Sequence, residues 1–407
     1  MDDRAGDMTA ATHTRLGRLV TTRSGDMPGE VLDEAGAFDI YGAGGVMGRT
    51  NTANVAPPDV LVGRVGTVGS VQVLARPAWA TDNTIIVAPT LDCESRWLGY
   101  VLISHDLRNE ASLTAQPLLT ATAVRDIRVS VVPIETQRRI ADFLDDQVAR
   151  IDNIIAARHT QIGQLEHSRI DAAWRALVGD AVEGERKPSG TAWLGAVPAD
   201  WPFTTVHSAY DVVLGKMLDE RKFTGAYTLP YLRNTNVQWD SITTDDLKLM
   251  DIEPKEYDRF TVRDGDLLIC EGGQPGRSAI WYGSVSPIGF QKALHRARGR
   301  QGNDVRWLQA FLRVAVALSV FTIEFGQATI GHLTGEQLRS LRLPLPPVAL
   351  QHVLADRLEA ELSNLTDGQQ LLRSSVDRSA ELKRALITAA VTGEFDVSTA
   401  DGSRLPI

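Results

Sequence analysis

Cysteine is scarce in this sequence, and the marks of several common protein classes are missing. The 407 residues include two cysteines, Cys93 and Cys270, too few for a disulfide framework and without a paired metal-ligand spacing. No apolar run approaches the ~20 residues needed to cross a bilayer, and residues 1–14 are polar and acidic rather than basic and then apolar. We expect a cytoplasmic protein that neither spans a membrane nor carries a secretion signal.

An excess of positive charge is also missing. The chain has 42 Lys and Arg against 51 Asp and Glu, a net charge of −9, which argues against a protein that coats nucleic acid by charge alone. Any nucleic-acid surface must therefore be local. At roughly 150 residues per domain, the length predicts two or three folded domains.

Familiar catalytic signatures are absent. The sequence contains no GxxxxGK[ST], HExxH or GxSxG motif, and its eight histidines are scattered without a ligand spacing. The glycine-rich run 42–48 resembles a dinucleotide loop only loosely, because Pro57 and Pro58 follow where a phosphate-capping helix would have to run. We predict a non-enzyme with no metal, no cofactor and no catalytic residue in this chain.

An internal repeat organises the sequence. Residues 132–144 (VPIETQRRIADFL) correspond to residues 346–358 (PPVALQHVLADRL), and this offset of 214 residues holds for about fifty residues. Residues 59–69 (DVLVGRVGTVG) correspond to residues 266–276 (DLLICEGGQPG) at an offset of 207. The whole chain therefore reads as a duplication, with short strands at 59–62 and 266–269.

Each half ends in a long helix, since apolar residues alternate at spacings of three and four, as in the seam of a coiled coil. The predicted packing positions are Leu144, Val148, Ile151, Ile155, Ile162 and Leu165 in the first helix, and Leu358, Leu362, Leu365, Leu372, Val376 and Leu386 in the second. Arg158, Gln369, Ser379 and Lys383 interrupt the two seams. Helices of about forty residues are roughly 60 Å long. We expect them to pair antiparallel within one chain, the alternative being a homodimerising coiled coil.

The predicted fold class is α/β, as mixed α+β lobes separated by these two helices. The boundaries are 1–131 for the first lobe, 132–180 for the first helix, 181–200 for a linker, 201–343 for the second lobe, 344–395 for the second helix and 396–407 for a tail.

Candidate DNA-contacting residues fall in stretches that are poor in acidic side chains. Residues 272–303 contain no Asp or Glu, and cations, amides and hydroxyls there suit phosphate contacts and base readout. The candidates of the first lobe are Tyr41, Arg49, Asn51, Arg64, Thr67, Ser70, Asn83 and Thr84. Those of the second lobe are Arg233, Asn234, Asn236, Gln274, Arg277, Gln291, Lys292, His295 and Arg296. A solvated charged face is the alternative for this feature.

These residues and motifs resemble the specificity (S) subunits of type I restriction-modification systems. The resemblance covers nearly the whole chain after residue 14. It rests on residues 132–145 with 151–152, their repeat at 345–351, 193–201 (WLGAVPADW), 231–237 (YLRNTNV), 265–268, 39–45 and 386–395 (LITAAVTGEF). In departure from the family pattern, Leu350 stands where an acidic residue usually precedes the glutamine, and the first lobe lacks the Trp-Leu-Gly entry with which residues 193–195 lead into the second.

The resemblance implies two target recognition domains, each reading one half of a split double-stranded DNA site, and two antiparallel helices that fix the spacing. Such subunits recruit two methyltransferase (M) subunits, which bind S-adenosylmethionine, and restriction/translocase (R) subunits. Two other hypotheses remain open: a DNA-modifying enzyme, such as a methyltransferase, with an unrecognised catalytic motif, and a coiled-coil scaffold protein.

Overall fold

The computed structural model describes residues 12–27, 32–112, 117–218, 223–325 and 331–397. The chain divides into two compact units. Unit 1 comprises Met1–His159 and Arg373–Ile407, and unit 2 comprises Thr160–Leu372. Of the predicted tail 396–407, residues 398–407 lie outside the described residues, and the predicted division into six segments stays a prediction.

Unit 1 is built from short strands and two short helices, followed by the first part of a long helix. Its strands are β1 Thr12–Arg15, β2 Val20–Ser24, β3 Phe38–Gly42, β4 Gly45–Thr50, β5 Val60–Gly63, β6 Val71–Val73, β7 Trp79–Ala80, β8 Thr84–Pro89 and β9 Arg128–Val131. Its helices are α1 Ser95–Ser104, α2 Ala121–Asp126 and α3 Ile134–Leu177, the last of which continues into unit 2.

Unit 2 repeats this plan with more strands. The strands are β10 Arg186–Pro188, β11 Ala196–Pro198, β12 Phe203–Thr205, β13 Tyr210–Leu214, β14 Thr228–Leu232, β15 Val237–Gln238, β16 Ser241–Ile242, β17 Lys248–Asp251, β18 Thr261–Val262, β19 Leu267–Cys270, β20 Ser278–Ile280, β21 Ile288–Phe290, β22 Leu294–Gly299 and β23 Arg342–Pro344. The helices are α4 Val206–Ala209, α5 Tyr257–Phe260, α6 Val305–Ala317, α7 Val320–Phe325, α8 Gly335–Ser340 and α9 Val348–Thr392, which ends in unit 1.

The sheets show the duplication directly. Unit 1 has an antiparallel sheet in the order β2-β8-β5-β6, and unit 2 has one in the order β13-β22-β19-β20. A second sheet in each unit contains one parallel pair, β3 with β7 and β14 with β21. The two strands expected from the sequence repeat are β5 and β19, which occupy equivalent inner positions and are buried throughout. The mixed α/β class is confirmed.

The two long helices run antiparallel wherever they meet within a unit. In unit 1 the ammonium of Lys383 lies 2.8 Å from the carboxylate of Asp152. In unit 2 Arg175 pairs with Glu361 at 2.8 Å, and the amide of Gln369 donates to the carbonyl of Ile162. Residue numbers therefore rise along α3 as they fall along α9. None of the predicted seam residues is exposed: Leu144, Ile151, Leu358 and Leu386 are buried, and the other eight are half-buried.

Two residues that interrupt the seam have polar partners there. Gln369 is buried and reaches Glu166 at 3.2 Å as well as the Ile162 carbonyl. Lys383 is held by both carboxylate oxygens of Asp152. A buried polar group costs little when its hydrogen bonds are satisfied, so these residues fit the helix pair without apolar contacts.

A buried glutamine joins each lobe to its long helix. Gln137 on α3 accepts from the backbone N–H of Glu94 at 2.8 Å and donates to the carbonyls of Asp92 and Val132. Gln351 on α9 accepts from the N–H of Asp304 at 3.0 Å. It donates to the Asn303 side chain and the Pro346 carbonyl, each at 2.8 Å. Both glutamines are fully buried.

An arginine completes each junction. Arg96 in α1 spans Asp142 and Asp145 on α3, at 2.9 and 2.7 Å. Arg306 in α6 spans the equivalent acids on α9, Asp356 and Glu359, at 2.7 and 2.8 Å. We call Gln137 with Arg96, and Gln351 with Arg306, the Gln–Arg clamp of each unit. The same clamp therefore fixes the short helix of both lobes against a long helix.

Replacing Gln351 by Leu should destabilise unit 2 by about 2–3 kcal/mol, because the buried Asp304 N–H, the buried Pro346 carbonyl and the half-buried Asn303 side chain lose their partner. Urea unfolding of the full chain would measure this. Gln164→Leu, at an exposed position of α3, serves as the control and should change the unfolding free energy by less than about 0.5 kcal/mol. Equal effects of the two substitutions would contradict the clamp's role.

Candidate nucleic-acid interface

In unit 1, three loops come together at one end of the two sheets. The Ser70 hydroxyl donates to the carbonyl of Ala43 in the β3–β4 turn. The backbone N–H of Arg64 donates to the carbonyl of Asn83 at 2.9 Å. The structure thus gathers four predicted residues, Arg64, Thr67, Ser70 and Asn83, in one loop cluster.

Unit 2 gathers an equivalent set of loops. The Asn234 side chain donates to the carbonyl of Gly272 at 2.9 Å, and Arg277 donates to the carbonyl of Asn234 at 3.1 Å. The N–H of Lys292 donates to the carbonyl of Lys216 at 2.8 Å. The predicted residues Asn234, Gln274, Arg277, Gln291 and Lys292 therefore belong to one loop cluster.

The loop after β5 and the loop after β19 share their backbone course. Gly66 and Gly273 have φ angles of 74° and 72°, and Gly69 and Gly276 have φ angles of 81° and 91°. This left-handed conformation favours glycine. Nothing lies within 4 Å of a Cβ built at Gly66, so the tip of this loop leaves room for a ligand.

The predicted residues differ in how available their side chains are. Thr67, Asn83, Gln274 and Lys292 are exposed, and Arg64, Ser70, Asn234, Arg277 and Gln291 are half-buried within the same clusters. Arg49 and Asn51 are exposed but are engaged by the β3–β4 region, Arg49 with the Gly36 carbonyl and Asp39, and Asn51 with Asp33. Tyr41 packs against the small apolar cluster around Leu61, and Arg233 pairs with Asp246 at 2.6 Å.

Four predicted residues are buried inside the lobes. Thr84 donates to the Thr81 carbonyl at 2.7 Å, and Asn236 donates to the Thr243 carbonyl at 3.1 Å. His295 contacts the carbonyl of Leu333 at 2.9 Å, and burial lowers its pKa below the ordinary value. These contacts give the side chains a role in the fold.

Arg296 is the fourth, at 2% exposure. Its guanidinium donates to the carbonyls of Asp258, Arg259 and Thr261 at 2.7–3.2 Å and lies 5.7 Å from the Phe290 ring centre. Burial lowers its pKa to about 10. A side chain so enclosed has no path to a DNA groove, and the basic run 292–300 therefore overstates the local positive surface.

Sequence reasoning missed the residues that position these loops. The clamp glutamines fall inside the repeated segment, at the same offset of 214 residues, and the two arginines follow Glu94 and Asp304 at the same spacing. Asp304 is 8% exposed. Although burial raises the pKa of this carboxyl, Arg306 and His352 hold it below its ordinary value. The repeated Gln and the repeated acidic-x-Arg pattern were the available signal.

Comparison with known proteins agrees with this arrangement. The family model "Type I restriction modification DNA specificity domain" matches residues 12–164. The chain is 20% identical over 297 residues to the type I restriction enzyme MjaVIII specificity subunit of Methanocaldococcus jannaschii, covering 72% of this chain and 67% of that protein. It is 22% identical over 279 residues to the EcoKI specificity subunit of Escherichia coli, covering 66% and 58%.

A solved structure, described as "Structural basis underlying complex assembly and conformational transition of the type I R-M system", has the same fold. It aligns with a TM-score of 0.68 at 14% identity over 95% of this chain and 99% of that chain. The chain is therefore similar to the type I restriction-modification specificity subunits, and its residues 12–164 match their DNA specificity domain. The 214-residue repeat carries the fold of unit 1 into unit 2, so that the chain has two lobes of one design.

No helix of the described ranges is long and apolar enough to span a membrane. Within the same ranges, no three His, Cys, Asp or Glu side chains are grouped as metal ligands would be. That the chain is not itself an enzyme stays a prediction from the sequence.

Replacing Arg296 by Met should lower the free energy of unfolding by about 2 kcal/mol or more, since the buried Thr261 carbonyl and the part-buried carbonyls of Asp258 and Arg259 lose their donor. Lys292→Ala, four residues earlier and exposed, should stay within about 0.5 kcal/mol of wild type. Thermal and urea unfolding would measure both. Wild-type stability of Arg296→Met would contradict the structural role assigned to this guanidinium.

Proposed function

We propose that each unit reads one half of a bipartite double-stranded DNA site through its loop cluster. The observation that carries this proposal is the pair of equivalent loops, 63–70 and 270–277, which share a backbone course but present different side chains. The specificity subunit would thereby select the sequence at which its partner subunits act.

The exposed side chains of the loops are of the kind that reads base edges. Thr67 and Asn83 in unit 1, and Gln274 in unit 2, offer hydroxyl and amide groups, which hydrogen-bond to base edges in the major groove. Lys292 is exposed in unit 2 and suits a phosphate. We keep these four residues as the primary readers.

Half-buried residues of the clusters act mainly by holding the loops. Ser70 and Arg277 occupy equivalent positions, and each donates to a backbone carbonyl of the neighbouring turn, Ala43 or Asn234. Because Arg277 is only half-buried, its guanidinium would also lie close enough to contact DNA. The buried Thr84, Asn236, His295 and Arg296 are left out of the proposed readers because their side chains are enclosed.

Net charge supports a need for partners. At −9 the chain attracts the phosphate backbone poorly. The relatives are named as specificity subunits of type I restriction enzymes, and the structural neighbour's description refers to complex assembly in such a system. We therefore propose assembly with two methyltransferase subunits, which would bind S-adenosylmethionine, and with restriction/translocase subunits that act in the cytoplasm.

Substitution of the exposed readers should change one half of the recognised sequence at a time. Gln274→Ala should relax base preference within one half-site, with a loss of about 1–3 kcal/mol of discrimination at the base that it reads. Thr67→Ala with Asn83→Ala should relax the other half. Sequencing of duplexes selected from a random pool by the assembled complex measures both effects.

The matched control is Gln164→Ala on an exposed face of α3, which should leave both halves intact. If the Gln274→Ala and Thr67→Ala/Asn83→Ala complexes select the same motif as wild type, at wild-type affinity, these loops are not the readers.

The long helices run through both units, so we propose that their length sets the spacer between the half-sites. Seven residues inserted after His159 and seven after Val376 keep the 3.5-residue seam period. Each helix lengthens by ~10.5 Å, about three base-pair steps. The selected motif should keep both halves but change its spacer length.

The same seven residues appended after Ile407 provide the control and should leave the motif unchanged. A wild-type spacer in the doubly inserted chain would refute the measuring role of the helices.

A further inference from the structure

A cavity of about 270 Å³ lies in unit 2 between α6, α9 and the β15–β16 hairpin. Its apolar wall includes Ala310 from α6 and Leu358 and Leu362 from α9, and Glu359 lies beside them. Drug-sized ligands occupy roughly 300–1,000 Å³, so this cavity is small for a nucleotide cofactor and suits a single side chain.

Unit 1 shows what fills the equivalent position there. Helices α1 and α6 correspond residue by residue, with Arg96 matching Arg306 in the clamps, so that Tyr100 matches Ala310. The Tyr100 ring is partly buried against the apolar core of unit 1. Its hydroxyl donates to the carboxylate of Asp145 at 2.7 Å.

The receiving wall is preserved in unit 2 although the ring is missing. Leu144 and Val148 of α3 correspond to Leu358 and Leu362 of α9, and the acceptor Asp145 corresponds to Glu359. Unit 2 therefore keeps apolar residues at the positions of Leu144 and Val148, which belong to the same apolar cluster as the Tyr100 ring, and a carboxylate at the position that accepts from its hydroxyl. With alanine in place of tyrosine, the wall loses its dispersion contacts.

We propose that this cavity is a binding site for a tyrosine side chain presented by a partner protein. The phenol ring packs against Leu358 and Leu362, as Tyr100 packs in unit 1, and its hydroxyl donates to the Glu359 carboxylate. In unit 1 the chain's own Tyr100 fills this position, and in unit 2 the tyrosine of a partner protein fills it.

The charged side chains around the cavity are already paired. Arg169 and Arg313 are both bonded to the carboxylate of Asp240, and Arg169 also lies 3.7 Å from Glu166. Arg306 pairs with Glu359 and, outside the lining, with Asp304 and Asp356. Because each guanidinium has carboxylate partners, the cavity suits the uncharged ring of a tyrosine.

The small phenol p-cresol, which has the shape of a tyrosine side chain, tests the cavity directly. Titration into the full-length chain should produce saturable shifts of the leucine methyl signals of Leu358 and Leu362 in NMR spectra. Ala310→Tyr should abolish them, because its own ring fills the site. Tyr100→Ala should create a second p-cresol site of similar affinity in unit 1.

Thermal unfolding shows whether the variants fold, and Leu362→Trp, which fills the cavity from α9, gives an independent version of Ala310→Tyr. Absence of methyl shifts in the wild type would overturn the proposal. So would p-cresol binding by both filled variants at wild-type affinity.

A second measurement identifies the occupant and rests on the proposed function. In binding assays with the partner methyltransferase subunit, Ala310→Tyr should weaken assembly at least tenfold, since it competes with the incoming tyrosine. If Ala310→Tyr assembles as well as wild type, the cavity does not bind a tyrosine of this partner. Absence of assembly by the wild type would count against the proposed function and remove this subunit as the tyrosine's source, while the p-cresol result would stand on its own.

Discussion

The attachment of each lobe to its long helix depends on the hydrogen bonds of one buried glutamine, which an apolar residue could not form. Gln137 and Gln351 each satisfy a backbone N–H and two oxygens at the junction of a lobe and a long helix. Leaving such groups unpaired in a buried setting costs far more than their hydrogen bonds contribute in water. The arginine beside each glutamine adds ion pairs to two carboxylates one turn apart. Together they fix how the sheets, and the loops at their ends, are held by the helices.

On this common frame the two units differ in the side chains of their equivalent loops. Thr67 corresponds to Gln274, and Ser70 to Arg277, although the loops that carry them have matching glycines. Duplication kept the backbone because the clamp and the buried strands tolerate little change, whereas exposed loop side chains are free to vary. The proposal of two readers with different sequence preferences rests on this division. Tyr100 and Ala310, which occupy equivalent positions in α1 and α6, show that the two units also differ at a position that is largely buried.

Much of this architecture could be predicted from the sequence. The 214-residue repeat, the inner strands β5 and β19, and the two seams are periodic patterns with one physical cause each, namely burial of apolar side chains. The polar interruptions Gln369 and Lys383 could not be interpreted in advance, since their partners come from a different helix. Their hydrogen bonds depend on the register of α3 against α9.

The candidate site was only partly predictable for a related reason. Composition marks a stretch as polar or basic, but it does not say which side chains point inward. Arg296 and His295 lie on β22, where alternate residues and even consecutive ones are buried because sheet and helix cover both faces. Lys292, just before the same strand, remains exposed. The glycines of the two loops, which adopt positive φ angles, marked these loops in the sequence. No comparable local signal marked the Gln–Arg clamp.

In the proposed function the two lobes have interchangeable backbones, and their loops recognise different half-sequences. The most direct measurement replaces residues 206–341 by a second copy of residues 16–127, between unchanged long helices, and determines the motif selected by the assembled complex from random duplexes. Two copies of the same half-sequence are predicted. A motif that still contains two different halves would contradict the account.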